Sequence, residues 1–145
     1  VTTIYTIGFT QKSLRRFMEL LQAAQVDAVI DTRLRPTSQL SGYAKAEDLA
    51  FVLETFGIAY EQQPDLAPTA EILDGYRKDH DWAGYVQRFT ALIQEREIER
   101  IGQEIVRRHR APCLLCSEAI AHQCHRRLVA EYWAQHLPGL EIVHL

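Results

Sequence analysis

Val26-Asp27-Ala28-Val29-Ile30-Asp31 is a short apolar run that ends on a carboxylate. Such a run suits a strand buried on both faces, as in a parallel sheet covered by helices on its two sides. Working outward, Thr2 to Ile7 is rich in β-branched and aromatic residues and stops at Gly8, which reads as a first strand. Between these two runs, Ser13 can cap a helix whose apolar positions Leu14, Phe17, Met18 and Leu21 follow the i, i+3, i+4, i+7 rule. Thr32 to Ala44 carries Pro36, Ser38, Ser41 and Gly42 and reads as a loop. Leu49, Val52, Leu53 and Phe56 repeat the helical spacing, Gly57 is placed to end that helix, and Ile58 to Glu61 is a third strand.

The second half continues the alternation. Gln63 to Asp81, with Pro64, Pro68 and Gly75, reads as a loop holding a short helix over Ala70 to Arg77. Trp82 to Glu97 and Ile98 to His109 are two helical stretches, the second weakened slightly by Gly102. Pro112 to Ser117 is a fourth strand, Cys124 to His136 a helix, Pro138-Gly139 a turn, and Leu140 to Leu145 a last strand. Strands alternating with helices imply a right-handed parallel sheet. The expectation is a single α/β domain over residues 1–145, Rossmann-like, with about five parallel strands and helices on both faces.

The chain's 145 residues fit one such domain. Sixteen basic against nineteen acidic residues leave a formal charge of -3, which disfavours extensive nucleic-acid binding but leaves room for a small local phosphate pocket. No apolar run approaches the ~18 residues of a membrane span, and the first strand lacks the basic flank of a signal peptide. A cytoplasmic location without membrane association is expected. Three Cys, an odd and low count, argue against a secreted disulfide scaffold. The sequence leaves the oligomeric state open.

In open parallel sheets the ligand sits beyond the carboxyl ends of the strands, at the topological switch point. After strand one come Gly8, Phe9 and Thr10; after strand two, Asp31, Thr32, Arg33 and Arg35; after strand four, Cys116, Ser117 and Glu118, then Cys124, His125 and Arg126. These are the most chemically capable residues of the chain, and the topology gathers them at one end. Arg33 and Arg126 are candidate anion forks, with Gly8, Thr10 and Ser117 as further ligand contacts. Asp31 and Glu118 are candidate acid–base groups and Cys124 a candidate nucleophile. Asp31 and Arg33 can equally form an ion pair that orders the following loop.

The segment from Cys116 to Arg126 supports competing readings. Cys116, Cys124 and His125, with His122 or Glu118 as a fourth ligand, could hold a transition metal such as zinc or iron. Arg126, Arg33 and the helix start could hold phosphate or carboxylate. The plain alternative makes Cys116 a small buried hydrophobe, with His125 and Arg126 pairing to Glu118 at the helix start. Cys113 and Cys116, three apart on a strand, point to opposite faces, so Cys113 is expected in the core. Tyr60, Trp82 and Tyr85 could line a cleft, although aromatics at helical spacing usually belong to a core. Three functions stay open: an enzyme on a small anionic or nucleotide-like substrate, a noncatalytic phosphate or nucleic-acid-end module, and a Cys/His metal or thiol redox site.

The chain also resembles the family called domain of unknown function 488. The likeness rests on Thr6-Ile7-Gly8, on Ile30-Asp31-Thr32-Arg33 with Pro36 and Ser38, and on Cys116-Ser117-Glu118 followed by Cys124-His125-Arg126. These elements occur in order and span nearly the whole chain. The resemblance implies a compact Rossmann-like α/β fold and carries no established activity. Two departures stand out: Phe9-Thr10 occupies the place of a His-Ser pair, and Asp65-Leu66-Ala67-Pro68 the place of a Leu-Gly-Gly stretch. If that His serves as a base or ligand in the family, this chain lacks it.

Overall fold

The structure is a computed structural model that describes residues 1–38, 42–118 and 121–145. Ser41, one of the loop signals, lies outside the described residues. Five strands alternate with helices: β1 Thr2–Gly8, α1 Leu14–Ala23, β2 Ala28–Asp31, α2 Ala46–Thr55, β3 Ala59–Gln62, α3 Ala70–Asp79, α4 Trp82–Glu95, α5 Glu99–Arg108, β4 Pro112–Cys116, α6 His125–His136 and β5 Leu140–His144. The sheet order is β3-β2-β4-β1-β5, and every pairing is parallel. The expected single-sheet Rossmann-like α/β architecture is the observed one.

Each element follows from local chemistry. The Ser13 hydroxyl accepts from the Arg16 N–H at 3.1 Å and opens α1. Gly57, at φ +75°, supplies the left-handed residue that ends α2. The two helices expected over Trp82 to Glu97 and Ile98 to His109 are α4 and α5, parted where Glu97 turns left-handed at φ +55°. The expected strand from Val26 begins only at Ala28, because the Val26 N–H still closes the end of α1 on the Leu21 carbonyl.

The sheet has two covered faces. On one, Phe17, Met18 and Leu21 of α1 and Leu49 and Leu53 of α2 pack on Ile7, Val29, Cys113 and Leu115. On the other, Phe89 and Ile93 of α4, Ile105 of α5 and Val129 and Trp133 of α6 pack on Ile4, Ala28, Ile30 and Leu114. Cys113 is a fully buried free thiol, as its strand position implies. Gly102 has a packing reason: the Trp133 indole lies against it, and a Cβ there would come within 2.8 Å of the ring. Among the described residues no helix is long and apolar enough to cross a membrane.

Strand order places the switch point between β2 and β4. From β2 the chain leaves toward β3, and from β4 it leaves the opposite way toward β5.

Candidate functional site

A cleft of about 320 Å³ opens at that switch point. Its floor comes from the ends of β2 and β4, through Arg33, Cys116, Ser117 and Glu118. Its walls are Cys124 and His125 at the start of α6, and Tyr76, Arg77, Trp82 and Tyr85 from α3 and α4.

The β2 side is built on one carboxylate. Asp31 is 1% exposed and Arg33 6%. The Arg33 guanidinium donates from Nε to Asp31 Oδ1 at 2.9 Å and from Nη2 to Oδ2 at 2.7 Å, and the Arg33 N–H adds a third bond at 3.1 Å. Tyr60 of the neighbouring strand donates its hydroxyl to Asp31 Oδ2 at 2.6 Å. Burial, then the Asp31 hydrogen bond and charge, push the Tyr60 phenol well above its ordinary pKa. The Asp31–Arg33 pair therefore takes the ion-pair form, yet Arg33 Nη1 remains buried with no hydrogen-bond partner among the described residues. Phe9, standing where the resembling family has His, is buried and packs under the Arg33 guanidinium at 5.2 Å.

The β4 side is built around Arg126, which is fully buried. Its Nε donates to Thr6 Oγ1 at 3.2 Å and its Nη1 to the Glu118 carbonyl at 2.6 Å. The same Nη1 lies 3.5 Å from Cys116 Sγ and 3.6 Å from Cys124 Sγ. Burial lowers the Arg126 pKa to about 10, so the group stays cationic at neutral pH. Gly8 permits this arrangement: a Cβ there would collide with the Glu118 carbonyl and press on Arg126 Nη1.

Cys116 closes β4, Cys124 is the N-cap residue of α6, and the two sulfurs are joined in a disulfide. One bridge within a short loop is compatible with an odd, low Cys count. A ring nitrogen of His125 lies within 4.8 Å of both sulfurs. His125 Nε2 is 2.7 Å from the Thr32 carbonyl. A carbonyl can only accept, so Nε2 carries the proton and Nδ1 keeps its lone pair. Burial, only partly opposed by this bond, lowers the imidazole pKa to about 4. Cys124 offers no side-chain cap, and the first turn of α6 faces the cleft without one.

The sequence-derived candidates thus separate. Arg33, Ser117, Glu118, Cys116, Cys124 and His125 line the cleft. Asp31 lies behind Arg33, and Arg126 behind the sulfur pair. Gly8 serves close packing, and Thr10 bonds its N–H to the Ser117 carbonyl at 3.0 Å from outside the cleft. Trp82 and Tyr85 join the wall, stacked at 5.1 Å, whereas Tyr60 belongs to Asp31. Sequence reasoning missed Leu73, Tyr76 and Arg77; their i, i+3, i+4 spacing marks one face of α3 and was the available signal. Leu66 and Ala67, in place of the glycine stretch, are buried, and Arg96 holds the Ala67 carbonyl at 2.7 Å.

The family described as Domain of unknown function DUF488 matches residues 13–133 of the chain. Comparison with curated proteins and with solved structures gives no match.

Proposed function

For a chain that belongs to the DUF488 family, we propose that the cleft binds a small anionic ligand carrying a planar ring, of the nucleotide class. The observation that carries this reading is Arg33 Nη1, a buried donor with no partner in a side chain that lines the cleft. An unsatisfied buried donor costs about 1–3 kcal/mol, and an oxygen of a bound anion would remove that cost. Two further features support the reading. The first turn of α6 offers uncapped N–H groups and the positive end of the helix dipole. Trp82, half-buried in the cleft wall and backed by Tyr85 at 5.1 Å, offers a flat face for a ring.

In this reading Arg33 and the α6 N-terminus take the anion, Ser117 adds a hydroxyl donor, and Arg77 screens the mouth. Glu118 is the cleft carboxylate available for proton transfer if a reaction follows binding.

The two tryptophans make the test direct. Trp82 lines the cleft and Trp133 is fully buried in the core, so quenching of emission by ligand reports on Trp82. Titration with inorganic phosphate should raise the melting temperature, and a nucleoside monophosphate should raise it further while quenching emission. Saturation at 100-fold above Kd corresponds to about 2.7 kcal/mol. Arg77→Gln should weaken both responses, and Trp82→Phe should remove the quench alone. A melting temperature unmoved by phosphate and by every nucleoside monophosphate overturns the reading.

A further inference from the structure

Cys116, Cys124 and His125 form the one potential metal-holding group of His, Cys or acidic side chains found among the described residues. All three line the cleft. We propose that, with the Cys116–Cys124 bridge reduced, these residues bind one zinc ion whose fourth coordination position faces the cleft.

Four observations carry this. First, the donor set is chemically apt: two thiolates and an imidazole are the ligands of known three-ligand zinc sites that keep one position open. Second, the geometry is close. Zn–S bonds of about 2.3 Å and a Zn–N bond of about 2.0 Å in a tetrahedron place donors roughly 3.5–3.8 Å apart. The three donor atoms already lie within 4.8 Å of one another. The Cα atoms of the two cysteines stand 7.6 Å apart, beyond the usual ~4.4–6.8 Å of bridged pairs. The sulfurs can therefore separate to ligand spacing without the backbone closing up.

Third, His125 is set as a ligand. Metal-bound histidines donate their second ring N–H to a carbonyl or carboxylate, which fixes tautomer and ring angle. His125 makes this bond to the Thr32 carbonyl at 2.7 Å. Fourth, Arg126 Nη1 stands 3.5–3.6 Å behind both sulfurs, on the side away from the cleft, where it can donate to thiolates bound to an ion. The backbone supplies the remaining order, since Cys116 ends a central strand and Cys124 and His125 start a helix.

The proton balance is simple. The reduced pair loses two thiol protons as Zn²⁺ binds, the neutral imidazole loses none, and the site goes from neutral to neutral before the fourth ligand is counted. The bridged pair has no thiolate to offer, so bridging and zinc binding exclude each other.

That exclusion supplies a test needing no mutation. The full chain is reduced with a phosphine, which takes up the disulfide oxidation equivalent as phosphine oxide with water as the oxygen source. It is then stripped with chelator and titrated with zinc alone. A matched sample is kept oxidised. We expect about one zinc per reduced chain, release of about two protons, and none held by the oxidised chain. Cobalt in place of zinc should give the thiolate-to-metal charge-transfer and d–d bands of a tetrahedral site. Cys124→Ser should abolish binding, whereas Cys113→Ala, which also removes one thiol, should retain it. Reduced wild-type protein that holds no zinc overturns the proposal, as does equal binding by reduced and oxidised protein. Because the readout is metal content and not anion binding, failure here leaves the anion reading standing, and the converse holds as well.

Discussion

Replacing Asp31 by Asn separates an anchoring role for this carboxylate from a catalytic one. Asp31 accepts from the Arg33 N–H, Nε and Nη2 and from the Tyr60 hydroxyl. Asparagine keeps one acceptor oxygen and turns an NH₂ toward donors, leaving the Arg33 cation buried without its counter-charge. Removing one partner of a buried ion pair costs about 3–5 kcal/mol. A chain of this size has total stability on the order of 7–20 kcal/mol, so the variant should still fold but lose a large share of it. At roughly 2–4 °C per kcal/mol, the melting temperature should fall by about 6–20 °C. Urea unfolding followed by circular dichroism measures the loss. Tyr60→Phe alone should cost about 1.5–3 kcal/mol, the worth of a hydrogen bond to a charged group, and much less in the Asp31→Asn background because the acceptor has gone. Phosphate should stabilise Asp31→Asn more than wild type, because Arg33 is then uncompensated. A loss below about 1 kcal/mol would refute the reasoning: it would mean that water or another group satisfies Arg33, and its unpartnered Nη1 would lose its significance.

The remaining predictions concern the frame. Gly102→Ala raises helix propensity by about 0.8–1 kcal/mol, yet its Cβ would sit 2.8 Å from the Trp133 indole. Crowding of that kind costs about 1–3 kcal/mol, so chemical denaturation should show net loss, and a gain would show that Trp133 yields freely. Glu61 responds to pH. Burial raises its pKa, but hydrogen bonds from Arg108, Gln63 and His109 outweigh burial, and the folded-state value lies below the ordinary one. A depressed carboxylate contributes stability above its unfolded pKa, near 4.5, and loses it as pH falls through the folded value. Glu61→Gln should therefore flatten the acid limb of a stability-against-pH curve below about pH 4.5.

The fold was legible because it depends on local periods. VDAVID, the Ser13 cap and the Gly57 stop each act within a few residues, and alternation of strand and helix then leaves few topologies. The expected strand start at Val26 missed by two residues, because Val26 still closes α1 and the carboxylate of the next residue is held by a tertiary contact. Asp27 turns its carboxylate to the N–H groups of Arg110 and Ala111, at 2.7 and 2.9 Å, steadying the entry to β4 from 83 and 84 residues away. The same divide runs through the site. Asp31 and Arg33 are two apart, so their pairing can be read from spacing. Tyr60 reaches Asp31 only through the β2–β3 register. Tyr76 meets Trp82 and Tyr85 only once α3 folds back on α4, at ring separations of 5.6 and 5.1 Å. The α3 periodicity marks the face of Leu73, Tyr76 and Arg77, and packing of α3 on α4 makes that face a wall of the cleft.

The two arginines of the site differ in a way that bears on what it holds. Arg33 has a carboxylate partner and lacks one hydrogen bond. Arg126 is more deeply buried, and its acceptors are a hydroxyl, a carbonyl and two sulfurs. Among the described residues it forms no ion pair with a carboxylate. A buried cation held only by neutral groups is costly, which is why burial drives its pKa down. Negative charge close to the guanidinium lowers that cost, and the groups on its cleft side are Cys116 and Cys124. Bridged, they offer no charge. Reduced, each sulfur would keep the Arg126 guanidinium at 3.5–3.6 Å as a hydrogen-bond donor. Arg126 thus sets a positively charged donor beside both sulfurs, and Gly8 is what lets the guanidinium and the Glu118 carbonyl come that close.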